Sequence, residues 1–159
     1  MLFLLFQIGP DRYALPARDV VEVLPLVAVK GLPGAPRGVA GLIDYRGAAV
    51  PAIDLGALAS GRPAAWRVST RVFMVNYPFT TASGASDTRL LGLIAEHATE
   101  MIRRESDAFQ PSGVRTDGTR YLGPVTSDSG GLIQRVEIAQ LLDDPLRAAL
   151  FSKEAETAS

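Results

Sequence analysis

The sequence has no cysteine and a single histidine, His97, among its 159 residues. Without cysteine the chain can form neither a disulfide bond nor a thiolate metal site, a composition typical of reducing compartments. One histidine offers no ligand spacing for a metal, and no Gly-x-Ser-x-Gly motif indicates a nucleophilic serine. We therefore expect a protein that is not an enzyme and uses no metal or cofactor.

The chain also lacks an excess of either charge and any long apolar run. Sixteen basic and 17 acidic residues give a net charge of -1, which argues against a nucleic-acid partner. No apolar run reaches the roughly 18 residues of a membrane-spanning helix. The apolar start, residues 2–8, lacks the basic flank and cleavage site of a signal peptide. We expect a cytoplasmic protein without direct membrane insertion.

The most informative stretch is residues 41–55, which read Gly-Leu-Ile-Asp-Tyr-Arg-Gly-Ala-Ala-Val-Pro-Ala-Ile-Asp-Leu. Two apolar runs flank a polar group, Asp44, Tyr45 and Arg46, and this pattern predicts strand, tight turn, strand. The second run is apolar without alternation, as in a strand covered on both faces. A turn on such a scaffold holds its side chains in fixed directions.

Other short apolar runs predict further strands. Residues 2–15 read as a hairpin, residues 71–77 and 89–95 as strands, and residues 121–126 and 132–136 as a pair. Val20, Val23 and Leu24 recur at helical spacing after Pro16, which predicts a short amphipathic helix. Residues 78–88 and 106–119 read as loops. Asp144 as the N-cap and Pro145 at the first helical position predict a C-terminal helix.

The order of the apolar runs repeats along the chain. Residues 13–24 align with 91–102 at an offset of 78, and residues 47–55 align with 130–138 at an offset of 83. Such a repeat predicts two similar small β-barrels.

The stretch from Gly41 to Leu55 resembles the central signature of CheW-like domains, usually Gly-Val-x-Asn-Leu-Arg-Gly followed by Pro-x-x-Asp-Leu. This sequence departs from the signature at Asp44, where asparagine is usual, and at Tyr45, where leucine is usual. The resemblance covers roughly residues 2–142.

The resemblance implies an all-β fold of two similar five-stranded, SH3-like or OB-like β-barrel subdomains with short helices. The single domain would span residues 1–159, with a first barrel in 1–70, a second in 71–142 and a C-terminal helix and tail in 143–159. It also implies a non-enzymatic adaptor that couples a methyl-accepting chemoreceptor to a CheA-type histidine kinase and is recruited to membrane receptor arrays.

The expected partners are the cytoplasmic tip of the chemoreceptor and the regulatory domain of the kinase. The residues expected to contact the receptor are Val20, Glu22, Gly41, Asp44, Tyr45, Arg46 and Gly47. Those expected to contact the kinase are Leu91, Leu93, Leu122 and Val125.

Two alternatives for the function stay open at this point. A scaffold of the same family could serve pilus-driven motility or surface-sensing cyclic-di-GMP control. An unrelated small β-barrel that binds a ligand would match the signature by accident.

A local Asp44–Arg46 pair that only holds the turn is an alternative to a binding role for Arg46.

Overall fold

The computed structural model describes residues 1–81, 83–114 and 117–157. This part of the chain is built mainly of β-strands, which confirms the predicted all-β class. The strands are β1 (Leu2–Ile8), β2 (Asp11–Pro16), β3 (Val20–Pro25), β4 (Val39–Tyr45), β5 (Ala48–Asp54), β6 (Arg71–Thr80), β7 (Ser86–Arg103), β8 (Leu122–Asp128) and β9 (Gly131–Val136), and the α-helices are α1 (Leu55–Ser60) and α2 (Asp144–Thr157).

The long strand β7 joins two groups of five strands. Its first half pairs with β6 and β5, and these continue to β3 and β4 respectively. Its second half pairs with β1, followed by β2, β9 and β8. The two five-stranded halves are as expected, but the ladders between described residues leave each sheet open rather than closed into a barrel.

Strand pairing mixes distant parts of the sequence. The N-terminal strands β1 and β2 lie in the sheet of β8 and β9, whereas β6 lies in the sheet of β3. The expected boundary near residue 70 therefore does not separate the strands of the two sheets.

The internal repeat is confirmed by the register of the two parallel strand pairs. In the first sheet Ala52 on β5 pairs with Gly92 on β7. The predicted offsets carry this pair to Arg135 and Ala14, which are also partners, on β9 and β2. The two halves thus repeat one arrangement of a hairpin beside a parallel strand.

At His97 strand β7 passes from one sheet to the other. His97 has a φ of +49°, which is unusual for a residue other than glycine. The register between β1 and β7 shifts at this point, and the amide of Ala98 donates to the carbonyl of Ser69 at 2.9 Å. The left-handed residue acts as a bulge that redirects the strand.

Two predictions of secondary structure from sequence were wrong in detail. Val20, Val23 and Leu24 belong to strand β3, and only a 3-10 turn, Ala17–Asp19, precedes it. Exposure along β3 alternates with a period of two, and its β-branched valines favour a strand over a helix. The predicted loop at 78–88 is largely a hairpin whose ladder extends to Thr80 and Ser86.

The C-terminal helix exists, but its cap lies one residue earlier than predicted. The carboxylate of Asp143, rather than that of Asp144, accepts from the amide of Leu146 at 2.8 Å. Leu146 and Phe151 on this helix are buried, and the Phe151 ring contacts Tyr77 and Phe79 on β6.

One apolar cluster connects the two sheets and helix α2. Phe6 on β1 meets Phe73 on β6 with ring centroids 6.0 Å apart, and Val136 on β9 belongs to the same cluster. The expected apolar seam between the halves is therefore present, and it holds the two sheets in a fixed arrangement.

Candidate partner-binding site at the β4–β5 turn

Arg46 and Gly47 form the two-residue turn between β4 and β5. Tyr45 and Ala48 are the last paired residues, and Arg46 and Gly47 have φ values of +53° and +87°. Two successive positive φ values are typical of the type I′ turn, whose twist matches that of a hairpin. The carboxylate of Asp44 accepts from the Gly47 amide at 2.9 Å and so fixes the turn further.

Glu22 on strand β3 ties the turn to the neighbouring strand. Its Oε1 accepts from the Tyr45 hydroxyl at 2.6 Å and from Nη2 of Arg46 at 2.9 Å. The Arg46 guanidinium carbon lies 5.2 Å from the centroid of the Tyr45 ring. We call Glu22, Tyr45 and Arg46 the turn cluster.

The hydrogen bond to Glu22 is the main cause that raises the pKa of the Tyr45 phenol, and desolvation adds to it. The phenol therefore stays protonated and keeps donating to Glu22 across the physiological pH range.

The turn cluster presents a cation that is held but still accessible. The side chain of Arg46 is 75% exposed, whereas Tyr45 is only 8% exposed. One guanidinium nitrogen bonds to Glu22, and the planar group has further donors directed to solvent. Since an exposed ion pair adds little to stability, the pair is better suited to orienting Arg46 than to holding the fold together.

The structure decides the alternative for Asp44 and Arg46. Arg46 pairs with Glu22 across strands, and the carboxylate of Asp44 instead bonds the Gly47 backbone. An asparagine could accept that bond with its side-chain oxygen, so the carboxylate adds a negative charge without a change in turn geometry.

Two other expected receptor-contact residues have structural roles. Val20 is half-buried and packs against the central apolar cluster. Gly41 is buried, and a Cβ atom there would lie 2.0 Å from the carbonyl oxygen of Lys30. Lys30 and Leu42 exchange backbone hydrogen bonds of 2.8 and 2.9 Å beside it, so Gly41 lets this segment approach β4.

The expected kinase-contact residues require a correction. Leu91 and Leu93 on β7 are fully buried in the central cluster, so no partner can reach their side chains while the chain is folded. These two side chains are apolar because they belong to the core, and not because they face a partner. Leu122 and Val125 on β8 are half-buried and lie at the edge of the second sheet.

Sequence reasoning did not find the contact of Glu22 with Tyr45 and Arg46. It placed Glu22 on a helix, and only the pairing of β3 with β6 brings this residue beside the turn. A usable signal was the set of β-branched valines at 20, 21 and 23, which favours a strand, and in that strand Glu22 shares a face with Leu24.

The described residues do not include a group of three or more histidine, cysteine or acidic side chains that could hold a metal ion. Across the same parts of the chain, no helix has both the length and the apolar character needed to cross a membrane.

Comparisons with known proteins agree with this fold. The family model described as "CheW-like domain" matches residues 2–146. Among solved structures, the crystal structure of the scaffolding protein TtCheW from Thermoanaerobacter tengcongensis matches with a TM-score of 0.74 and 20% identity, over 91% of this chain and 89% of that one. The comparison with curated proteins gave no match. An unrelated ligand-binding barrel is therefore ruled out: the chain belongs to the CheW-like domain family of non-enzymatic chemotaxis scaffolds.

Proposed function

We propose that this chain is an adaptor that couples the cytoplasmic tip of a methyl-accepting chemoreceptor to the regulatory domain of a CheA-type histidine kinase. The observation that carries the proposal is the turn cluster, in which a rigid turn and Glu22 hold an exposed arginine in one orientation. Membership of the scaffold family supports it.

The receptor contact would use the free donors of Arg46. A planar guanidinium with several donors suits the carboxylates and backbone carbonyls that a helical hairpin presents at its tip. Because Glu22 already fixes the side chain, little conformational entropy is lost when the partner arrives. Gly47 next to it is exposed and lacks a side chain, so a partner can approach the turn closely.

The kinase contact would lie on the second sheet. Leu122 and Val125 on β8 are half-buried, and Leu132 on the adjoining strand β9 is exposed. Apolar side chains on neighbouring strands can form the core of an interface with a polar rim. This surface takes the place of the buried Leu91 and Leu93 in the expected kinase site.

The two contacts would give signalling by geometry alone. An adaptor that holds receptor and kinase in register lets a change of receptor shape shift the kinase between states. It would do so at the cytoplasmic face of a receptor array.

The receptor test uses Arg46→Ala and Glu22→Gln, with the exposed Arg103→Ala as a matched arginine control. We expect the loss of a charge-assisted contact to weaken receptor-tip binding by about 1–3 kcal/mol in Arg46→Ala. Glu22→Gln should weaken it less, since Arg46 is then less well oriented. Isothermal titration against a receptor-tip fragment gives the affinities, and circular dichroism gives the melting temperature.

Unchanged receptor binding in Arg46→Ala would contradict the proposal. So would an equal loss in Arg103→Ala, because that would indicate a general charge effect. A large fall in melting temperature for Arg46→Ala would assign the arginine to stability instead.

The choice of receptor should depend on Asp44. Its exposed carboxylate would repel receptor tips that present glutamates, so Asp44→Asn should bind a wider range of tips with the turn unchanged. A panel of tips from flagellar, pilus and surface-sensing systems, measured at low and moderate salt, tests this and assigns the pathway by the tightest native partner. The same ranking for both proteins would show that Asp44 is only a turn residue.

A further inference from the structure

We propose that the connector between α1 and β6 carries a second partner-binding surface, centred on Trp66, that docks an acidic segment of a protein partner. The surface consists of Arg62, Trp66, Arg67 and Val68, and we call it the Trp66 surface. It is separate from the turn cluster, and the proposal does not depend on the function proposed above.

Two large apolar side chains of the connector face solvent. Trp66 is 62% exposed and Val68 is 94% exposed. Trp66 is the only tryptophan of the chain. Tryptophan and arginine are the residue types most enriched among the energetically dominant contacts of protein interfaces.

Hydrogen bonds hold the connector backbone on both sides of Trp66. The Ala64 amide donates to both carboxylate oxygens of Asp54, at 3.0 and 2.9 Å, and the Ala65 amide donates to Glu96. The hydroxyl of Thr70 donates to the Ala65 carbonyl at 2.6 Å.

The same hydroxyl accepts from the Arg67 amide at 3.1 Å, and the Ser69 carbonyl accepts from the amide of Ala98 at 2.9 Å. The exposed side chains at 66 and 68 thus project from a backbone that strands β5 and β7 hold in place. Such preorganisation lowers the entropy lost when a partner binds.

The charge around Trp66 determines the kind of partner. Between Asp54 and Asp87 the sequence has no acidic residue, and its charged residues there are three arginines, at positions 62, 67 and 71. Arg62 and Arg67 are exposed, and within the described part of the chain neither forms a salt bridge with an acidic side chain. The acidic groups that contact the connector, Asp54 and Glu96, accept hydrogen bonds from its Ala64 and Ala65 amides.

In the connector the exposed Trp66 is preceded by the exposed Arg62 and followed by the exposed Arg67. This arrangement along the chain is complementary to a segment with carboxylates on either side of an apolar side chain. The apolar side chain would pack on the indole face, and the carboxylates would pair with Arg62 and Arg67.

The Trp66 surface and the turn cluster lie at opposite ends of strand β5. The turn precedes Ala48, whereas the connector is tied to Asp54 at the other end of the strand. Seven residues of strand span about 20 Å. The two surfaces therefore do not overlap.

The test uses the full chain and a random dodecapeptide library displayed on phage. We expect the selected peptides to be enriched in aspartate and glutamate around an apolar residue. Synthetic copies should shift the emission of Trp66, which reports on this surface alone because the chain has no other tryptophan. Anisotropy of the labelled peptides should show affinity falling more than about tenfold in Trp66→Ala and in Arg67→Glu, since both changes remove a central contact.

Two controls accompany these variants. Arg46→Ala should bind the peptides like the native protein, and added salt should weaken binding because the contact is partly ionic. Since the changed side chains are exposed, circular dichroism should show unchanged melting temperatures, and the affinities then refer to folded protein.

Peptides selected without an acidic excess, or equal affinity for Trp66→Ala and the native chain, would overturn the proposal. A shift of Trp66 emission by phosphatidylglycerol vesicles but not by the peptides would overturn it in favour of a membrane surface. Self-association in sedimentation that Trp66→Ala abolishes would overturn it in favour of a second copy of the chain.

Discussion

Asp54 is the buried carboxylate at the junction of β5, α1 and the connector that follows. It is 6% exposed, and its two oxygens accept three hydrogen bonds from two backbone amides. Its Oδ1 accepts from Ala57 in the first turn of α1 at 3.0 Å, and both oxygens accept from the buried amide of Ala64. Replacement by alanine therefore leaves two amides of different segments without their partner.

The cost can be worked out from these contacts. Loss of a helix N-cap costs about 1 kcal/mol, within a range of 0.5–2. The buried amide of Ala64, left without an acceptor, adds about 1–3 kcal/mol. We therefore expect Asp54→Ala to lower the free energy of unfolding by about 2–4 kcal/mol. For a domain of this size, that corresponds to a fall in melting temperature of about 4–16 °C.

Asp54→Asn serves as the matched variant. The amide oxygen can replace Oδ1 for both donors, but the amide nitrogen then faces the N–H of Ala64, where Oδ2 accepted at 2.9 Å. Asparagine should therefore lower the free energy of unfolding by about 1 kcal/mol, the size of one lost net hydrogen bond, which is less than the loss expected with alanine.

Urea unfolding followed by circular dichroism measures these changes, provided that the slope with urea is the same in all three proteins. A loss below about 1 kcal/mol in Asp54→Ala would refute the reasoning, because neither amide would then depend on the carboxylate. Asparagine more harmful than alanine would refute the assignment of Oδ1 as the shared acceptor.

Three further changes test other features of the fold. Gly41→Ala should lower the free energy of unfolding by more than about 2 kcal/mol, since its Cβ would meet a carbonyl oxygen. Gly47→Ala, with open space around it, should lower it by about 1 kcal/mol. Urea unfolding measures both changes, and equal costs would contradict the close approach at Gly41. His97→Gly should raise and His97→Val should lower the free energy of unfolding by about 1 kcal/mol, because a β-branched residue tolerates positive φ poorly; the opposite order would show that His97 is not strained. The hydrogen bonds from Arg12 and from a backbone amide lower the pKa of Asp128 to about 2. The stability from this group is therefore complete above the ordinary carboxyl pKa near 4 and is lost as pH falls towards 2. Thermal melts of Asp128→Asn should lack this part of the pH dependence. A dependence of melting temperature on pH equal to that of the native protein would contradict this role of Asp128.

Much of the fold could be predicted from sequence because its determinants are local. The two-residue turn at Arg46 and Gly47 is marked by the change from apolar runs to a polar group, and its hairpin was predicted. The repeat was visible because equivalent strands in the two halves face the same kind of core, and strand register preserves that pattern.

What the sequence left open depends on pairing between distant segments. Helical and extended spacing both fit Val20 to Leu24, and pairing with β6 selected the strand and brought Glu22 to the turn. An apolar run does not reveal whether it faces a core or a partner, and packing of both sheets around β7 buried Leu91 and Leu93.

The sequence by itself determined the all-β class, the family and the turn that carries Arg46, since each rests on residues close together in the chain. Tertiary structure decided the partner of Arg46, the burial of the expected kinase residues and the exposure of Trp66. Each of these depends on contacts between strands far apart in sequence, whose geometry no local pattern specifies.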